Sequence, residues 1–282
     1  MKYEFPLLEQ QQITPNLNYV IAIPSYKREK LLLRKTLKTL HDGQIKQSKI
    51  VIFVANYEEY KTYSKYLSSK SKLLNYNPNK YEIVIGKKGI REQRIFINEY
   101  FYNFNIPNII FMDDDVGGID QMTKGGKFIK ITDIDNFINK GFTMAYSKNV
   151  YLWGIYSMRN AKFMRQRTEI QEGLSFIVGS FYGQRTRLNN NIIVQSELKV
   201  KIDVCNSIKH YIEDGSVLRF NYVTIRTAYG NPKGGIAADI QKENIQKLHI
   251  EGAKYLAKHY PKLGYTRKNK TYGLNFILKY IP

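Results

Sequence analysis

The sequence predicts an α/β protein with a mostly parallel central sheet flanked by helices, one domain after a short N-terminal extension. Three observations predict it. Strand-length apolar runs alternate with stretches of helical periodicity through the first half of the chain, which is the signature of βαβ units. One such run, Ile109-Ile110-Phe111-Met112, breaks off into Asp113-Asp114-Asp115, as a buried parallel strand does on reaching a ligand-bearing sheet edge. A chain of 282 residues, 43% of them apolar, is long enough to close a large core.

Residues 1–18 are polar and Gln-rich and read as an extension. Tyr19 to Pro24 is the first strand, and Ser25-Tyr26-Lys27-Arg28 the turn after it. Leu31 to Leu40 has helical periodicity, Ile50 to Ala55 is a strand, and Glu58 to Leu74 a basic, Tyr-rich helix. Tyr81 to Ile85 is a third strand. It leads through Gly86-Lys87-Lys88-Gly89 into a helix from Ile90 to Asn103, and Ile109 to Met112 is the fourth strand. The pattern then changes. Gln121 to Lys130 is Gly/Lys-rich and reads as mobile, Ile134 to Tyr146 as a helix, and Tyr151–Tyr156 and Leu174–Tyr182 as strands. Val200 to Phe220 mixes both signals. Thr224 to Tyr229 is a further strand, Asn231-Pro232-Lys233-Gly234-Gly235 a loop, and Asp239 to His259 a final helix ended by Pro261. The simplest organisation is a nucleotide-binding half, 19–120, and an acceptor half, 121–282, within one fold.

The formal charge is +20, from 44 basic and 24 acidic residues, spread along the chain rather than gathered in a tail. Such a field favours a polyanionic partner. Cys205 is the single cysteine, so no intrachain disulfide forms, and its apolar flanks suit a core position. No window reaches transmembrane length, so a soluble cytoplasmic protein without membrane partners is expected, in the host cytoplasm if viral.

Three adjacent carboxylates at a strand end repel one another and call for a cation. Oxygen-only ligands suit Mg²⁺ or Mn²⁺. Pro24, Ser25, Tyr26 and Arg28 lie beyond the first strand, where an aromatic ring can stack on a base and a guanidinium can reach a phosphate. Gly89 opens a helix whose N–H groups and nearby Arg91 and Arg94 attract anions. The Gly86–Arg94 stretch matches neither the P-loop pattern nor the dinucleotide fingerprint. Glu213-Asp214 is a second acidic pair, with Asp203 eleven residues upstream. One carboxylate in reach of an acceptor hydroxyl is what proton abstraction requires. An acid at a helix start also stabilises the helix dipole, which is the plain explanation of the pair. His249 and His259 are candidates to complete a metal site.

Together these residues resemble the nucleotide-sugar glycosyltransferases of the GT-A fold. The resemblance rests on Ile21-Ala22-Ile23-Pro24-Ser25-Tyr26-Lys27-Arg28, Asp113-Asp114-Asp115 and Glu213-Asp214, in that order. It implies that Pro24, Ser25, Tyr26 and Arg28 hold the nucleobase and ribose, with Gly89, Arg91 and Arg94 aiding the phosphates. It also implies that Asp113, Asp114 and Asp115 form the Asp-x-Asp element, with Asp113 and Asp115 on the metal and Asp113 and Asp114 touching the donor. Asp214, with Glu213 and Asp203, would supply the catalytic base, and a UDP-sugar is the first donor to expect. A narrower likeness runs through Gly89-Ile90-Arg91, Val178-Gly179-Ser180-Phe181-Tyr182-Gly183 and Gly234-Gly235, which are similar to the TET-associated glycosyltransferases of phages and viruses. That likeness implies transfer to a hydroxymethylated pyrimidine such as 5-hydroxymethylcytosine in DNA, flipped out or single-stranded, with Tyr182, Arg185 and Arg187 on the acceptor side. The competing readings are a glycan, lipid or protein acceptor, a non-catalytic nucleic-acid-binding protein on the same fold, and a nucleotidyltransferase.

Overall fold

The computed structural model describes residues 16–70, 81–227 and 242–281. The strands and helices of the first half follow the predicted order. Strand β1 (Tyr19–Pro24) leads into α1, a continuous helical stretch of three pieces: Glu29–Leu32, a π-helical Leu33–Leu37, and Lys38–Asp42. Then come β2 (Ile50–Val54), α2 (Tyr57–Lys70), β3 (Glu82–Ile85), α3 (Ile90–Asn103) and β4 (Asn108–Met112). The second half adds β5 (Val116–Met122), β6 (Phe128–Lys130), α4 (Ile134–Ser147), β7 (Leu152–Tyr156) and a single helical turn α5 (Ala161–Met164). It continues with β8 (Ile170–Gln171), β9 (Phe181–Arg185), α6 (Ile202–Asp214) and β10 (Leu218–Thr227). Helix α7 (Lys242–His259) and the hairpin β11 (Gly264–Asn269)–β12 (Gly273–Leu278) close the chain.

Ten strands form one sheet in the order β3-β2-β1-β4-β9-β7-β10-β5-β6, with β8 on β10. Strands β3, β2, β1 and β4 are mutually parallel, as βαβ crossovers require. β9 enters antiparallel between β4 and β7, which makes the sheet mixed. Successive residues of β1 serve opposite layers: Ile21 and Ile23 join the cluster packed by α1, α2 and α4, while Ala22 joins the one packed by α3. The outer face of α6 buries Ile202, Cys205 and Ile208 against Ala253 and Leu256 of α7 and Phe276 of β12, so Cys205 is the core residue expected.

Several predicted boundaries move. Leu174–Tyr182 is not a strand throughout; the ladder begins at Phe181, and residues 175–180 form the turn that feeds it. The mixed stretch 200–220 resolves into α6 and the start of β10, because Gly215 adopts φ 74° and ends the helix in the left-handed region. Gln121–Lys130, expected to be mobile, holds the β5–β6 hairpin. The terminal hairpin β11–β12 was not predicted. The Gly234-Gly235 loop lies outside the described residues.

Candidate functional site

The aspartate turn sits at the carboxyl edge of β4, and its shape is set from α1. Thr36 Oγ1 donates to the Asp113 carbonyl at 2.7 Å and accepts from Val116 N at 3.0 Å, while Thr39 Oγ1 donates to the Val116 carbonyl at 3.0 Å. Both threonines are buried. Sequence reasoning passed over them, since a threonine on the apolar face of a helix looks like filler.

Of the three carboxylates, Asp114 turns inward. It is 3% exposed and accepts from Ser25 Oγ at 2.6 Å and from Arg28 Nη1 at 3.1 Å. Ser25 Oγ in turn accepts from the Tyr63 hydroxyl at 2.7 Å, and that oxygen accepts from Arg28 N at 2.9 Å. This relay fastens the turn after β1 to the aspartate turn, and in it Asp114 fixes Ser25 and Arg28 rather than facing outward. Burial pushes the Asp114 carboxyl up to about 7, against the pull of Arg28.

Asp113 and Asp115, on either side, remain partly accessible, with side chains 33% and 16% exposed. Arg94 Nη2 stands 3.8 Å from Asp113, and Arg28 Nη1 stands 3.7 Å from Asp115. Burial raises both carboxyl pKa values, and for Asp115 the neighbouring Asp113 charge adds to the rise. Two carboxylates so placed gain from a cation between them.

The segment Val178–Ser180 joins this turn to the second half. Asp113 N donates to the Ser180 carbonyl at 3.1 Å, and Arg94 Nη2 donates to the Gly179 carbonyl at 2.8 Å. A Cβ on Gly179 would stand 2.8 Å from that Arg94 nitrogen, so a larger residue there would displace the guanidinium. The Gly179 amide also bonds the carboxylate of Asp203, which accepts from Val204 N at 3.0 Å. Asp203 is the second residue of α6, in its first turn, and Lys201, which caps the helix, holds the left-handed φ of 60°. Burial raises the Asp203 pKa and Arg94 opposes the rise. The Tyr182 ring lies 5.5 Å below the Arg94 guanidinium, and burial lifts its hydroxyl to about 12. Arg94 therefore has Asp113, Asp203 and Tyr182 around it.

The residues expected on the donor side lie along the β1 turn and the start of α3. Pro24 ends β1, and the Ser25 amide continues the ladder to Phe53. The ammonium groups of Lys27 and Lys88 lie 4.9 and 5.6 Å from the Tyr26 ring. Gly89, at φ 99°, turns the chain into α3. Gln93, not singled out from sequence, clamps the basic loop: its Oε1 accepts from Lys87 N at 2.6 Å and its Nε2 donates to the Val54 carbonyl at 3.3 Å.

Other expected residues are not brought here. Arg91 bonds the Val194 carbonyl at 2.6 Å and Glu92 at 3.1 Å instead of the aspartates. Glu213 and Asp214 end α6, and eleven helical residues put them roughly 16 Å along the axis from Asp203. Asp214 is held by both Nη atoms of Arg187, at 2.6 and 2.7 Å, and the exposed Glu213 by Asn189 and Asn191. Arg185 pairs with Asn108 at the start of β4, because β9 runs antiparallel to it, which places Arg185 and Arg187 at the opposite sheet edge. His249 stacks on Tyr272, and His259 on Tyr255, each at 4.2 Å. Neither completes a metal site with the aspartates; among the described residues, no group of three or more His, Cys, Asp or Glu is gathered to hold an ion.

His210, in mid-α6, is 1% exposed, and burial lowers its pKa to about 4. It stays neutral in the fold while the unfolded chain binds a proton below about pH 6.5. The unfolded state then carries more protons, so this contribution is complete above that pH and is lost as pH falls towards about 4, about 3 kcal/mol in all. Urea unfolding at about pH 7 and about pH 4.5 should show a smaller stability loss in His210→Gln than in the parent.

No protein-family model matches the chain, and no curated protein matches it. Among solved structures, similarity is found to a mannosyltransferase, PcManGT from Pyrobaculum calidifontis, in complex with GDP-Man and Mn²⁺ (11% identity, 89% of this chain, 66% of that one, TM-score 0.47). It is also found to glucosyl-3-phosphoglycerate synthase from Mycobacterium tuberculosis with Mn²⁺, UDP and glucosyl-3-phosphoglycerate (8%, 93%, 87%, TM-score 0.42). A third is CMP:2-keto-3-deoxy-manno-octonic acid synthetase complexed with CTP (10%, 72%, 89%, TM-score 0.43). At these scores the likenesses decide nothing about this chain's chemistry, which has to come from the site itself. Among the described residues no helix is long and apolar enough to cross a membrane.

Proposed function

We propose that the chain is a divalent-cation-dependent glycosyltransferase that moves a sugar from a nucleotide-sugar, UDP-linked in the first instance, to a hydroxyl acceptor. One observation carries this reading. Two partly accessible carboxylates, Asp113 and Asp115, stand at the end of β4 beside the β1 turn, with the half-buried Asp203 one guanidinium away.

The residues fit Mn²⁺ or Mg²⁺. Asp113 and Asp115 offer hard oxygen ligands, and two carboxylates leave positions for diphosphate and water, as such ions prefer. When bound, the cation offsets charge building on the leaving diphosphate. Arg28, already fixed by Asp114, would add a donor there, and the half-buried Tyr26 would meet the base, while Ser25 stays inside the relay. Arg94 holds Asp113 in place and, with Gly179, sets the Asp203 carboxylate. The raised pKa suits Asp203 to take the acceptor's proton. On this reading the half 19–120 holds donor and metal, the half 121–282 contributes the base, and Asp214 and Glu213 are structural.

The finer proposal is an acceptor in DNA, a hydroxymethylated pyrimidine. The net charge of +20 supports a polyanionic acceptor. So does the exposed, mutually stacked pair Tyr57 and Tyr60 with the Lys61 ammonium 4.5 Å over Tyr57.

UDP with Mn²⁺ should raise the melting temperature, and Asp115→Ala should abolish the rise. No response to any nucleoside diphosphate with metal would remove the transferase reading. Hydroxymethylated DNA incubated with a panel of nucleotide-sugars, then digested for nucleoside mass spectrometry, tests the acceptor; unmodified nucleosides throughout would reject DNA.

A further inference from the structure

A cavity of about 350 Å³ lies between α3 and α6, reached from the carboxylate site through Arg94. Helices α3 and α6 form its walls, Phe111 and Tyr182 of the sheet its floor, and the segment 188–194 its cover. Its volume is that of a small-ligand pocket. Neither the aspartates nor the β1 turn contribute to it, and Arg94 lines it from the carboxylate side.

The lining is unusual in composition. Six carboxamides border the cavity: Asn98, Asn103, Asn189, Asn190, Asn206 and Gln184. Asn98 already bridges the Arg187 carbonyl and Gln184, and Asn189 holds Glu213 and the Asn191 amide; the remaining NH₂ donors and carbonyl acceptors of the six face a ligand's demands. Ile95, Ile192 and Ile202 add apolar surface beside Phe111. Two buried polar atoms of lining residues have no partner, His210 Nε2 and Arg94 Nε. His210 Nδ1 lies 3.0 Å from the Asn206 carbonyl, which can only accept, so the ring proton is on Nδ1 and Nε2 is left as an acceptor. Arg94 Nε is a donor. Burial without a partner is costly for both, and a ligand that accepts from one and donates to the other relieves it.

The occupant these groups select carries several functions that both donate and accept, beside an apolar face. It is also uncharged. Arg94 already lies among Asp113 and Asp203, Arg91 pairs with Glu92, and Glu99 stands at the cavity, so no cation is left over for an anion. Hydroxyl groups on a pyranose ring meet the donor and acceptor requirement, and the ring's C–H face meets the apolar one. We propose that this cavity is a binding site for a neutral saccharide, separate from the carboxylate site and joined to it by Arg94. The binding claim does not rest on the transferase reading. Because Arg94 Nη2 also lies 3.8 Å from Asp113, saccharide occupancy should alter the affinity for UDP and Mn²⁺ if that reading holds.

The test uses the full chain, free of nucleotide and metal, with glucose, N-acetylglucosamine and cellobiose as probes in saturation-transfer NMR and titration calorimetry. At least one should bind. Ile95→Trp, which fills the space, and Asn206→Leu, which removes one carboxamide, should each weaken binding by about tenfold or more. Both should leave the UDP–Mn²⁺ thermal shift in place. Should Ile95→Trp fail to fold, Asn206→Leu, at a half-buried position, still decides the matter. Absence of binding by all three saccharides overturns the proposal, as does binding that both substitutions leave unchanged. A lost UDP–Mn²⁺ shift in the parent protein would instead count against the transferase reading and leave the saccharide result to stand by itself.

Discussion

Asp203→Asn should keep the UDP–Mn²⁺ thermal shift and lose sugar transfer by about 10²–10⁴-fold, the usual worth of a positioned general base. The asparagine preserves size and keeps an oxygen to accept from Gly179 N and Val204 N, the bonds that hold the side chain at the start of α6. It cannot take a proton. The donor side is untouched, since Asp113, Asp115, Arg28 and Ser25 make no use of Asp203 beyond the shared Arg94. The readout is transfer measured at saturating donor, alongside nucleotide affinity by calorimetry. Transfer at the parental rate would show that the proton goes elsewhere and would return attention to the acidic pair at the other end of the helix.

Asp214→Ala should behave in the opposite way. Its carboxylate is clasped by both Nη atoms of Arg187, with side chains only 5% and 17% exposed. Removing one partner leaves a guanidinium with little solvent to receive it, at a cost of about 3–5 kcal/mol. In a chain of this size that is roughly a 10 °C fall in Tm. Arg187 is further fixed above the Tyr151 ring at 3.9 Å, so it has little freedom to swing into water. Transfer per folded molecule should be unchanged, because Asp214 is roughly 16 Å from Asp203 along α6. The double substitution Asp214→Ala with Arg187→Met should be milder than the sum of the singles, as expected for two groups whose charges answer each other. A normal melting temperature combined with lost transfer in Asp214→Ala would assign it the catalytic role instead.

The run from Ile109 to Asp115 declared both a buried strand and its acidic edge, because apolar continuity followed by adjacent charges has few other uses in a fold. Asp203 and Asp214 were both visible as carboxylates, but nothing in the spacing chose between them. Once Ile202–Asp214 is one continuous helix, eleven residues become a long axial separation, and only the end beside Gly179 meets Arg94. Arg185 and Arg187 were expected after a strand end, but Arg185 is itself the last residue of β9, and the direction of that strand was not legible. β9 is antiparallel, so its end lies at the opposite edge from the aspartates. Thr36, Thr39 and Gln93 were missed because their importance comes from partners 77, 80, 77 and 39 residues away, contacts that leave no local pattern.

By itself the sequence determined the alternating α/β layout of the first half, the buried core strands and the presence of an acidic edge, since these follow from hydrophobic period and from local charge. Tertiary structure alone decided which carboxylates are partners. The turn at Gly179 draws Asp113, Arg94 and Asp203 into one neighbourhood, the relay through Ser25 and Tyr63 draws Asp114 out of it, and a guanidinium at the far end of α6 claims Asp214. The physical reason is that a carboxylate's role depends on what shares its few ångströms of poorly solvated space, and chain folding, not chain order, settles that company.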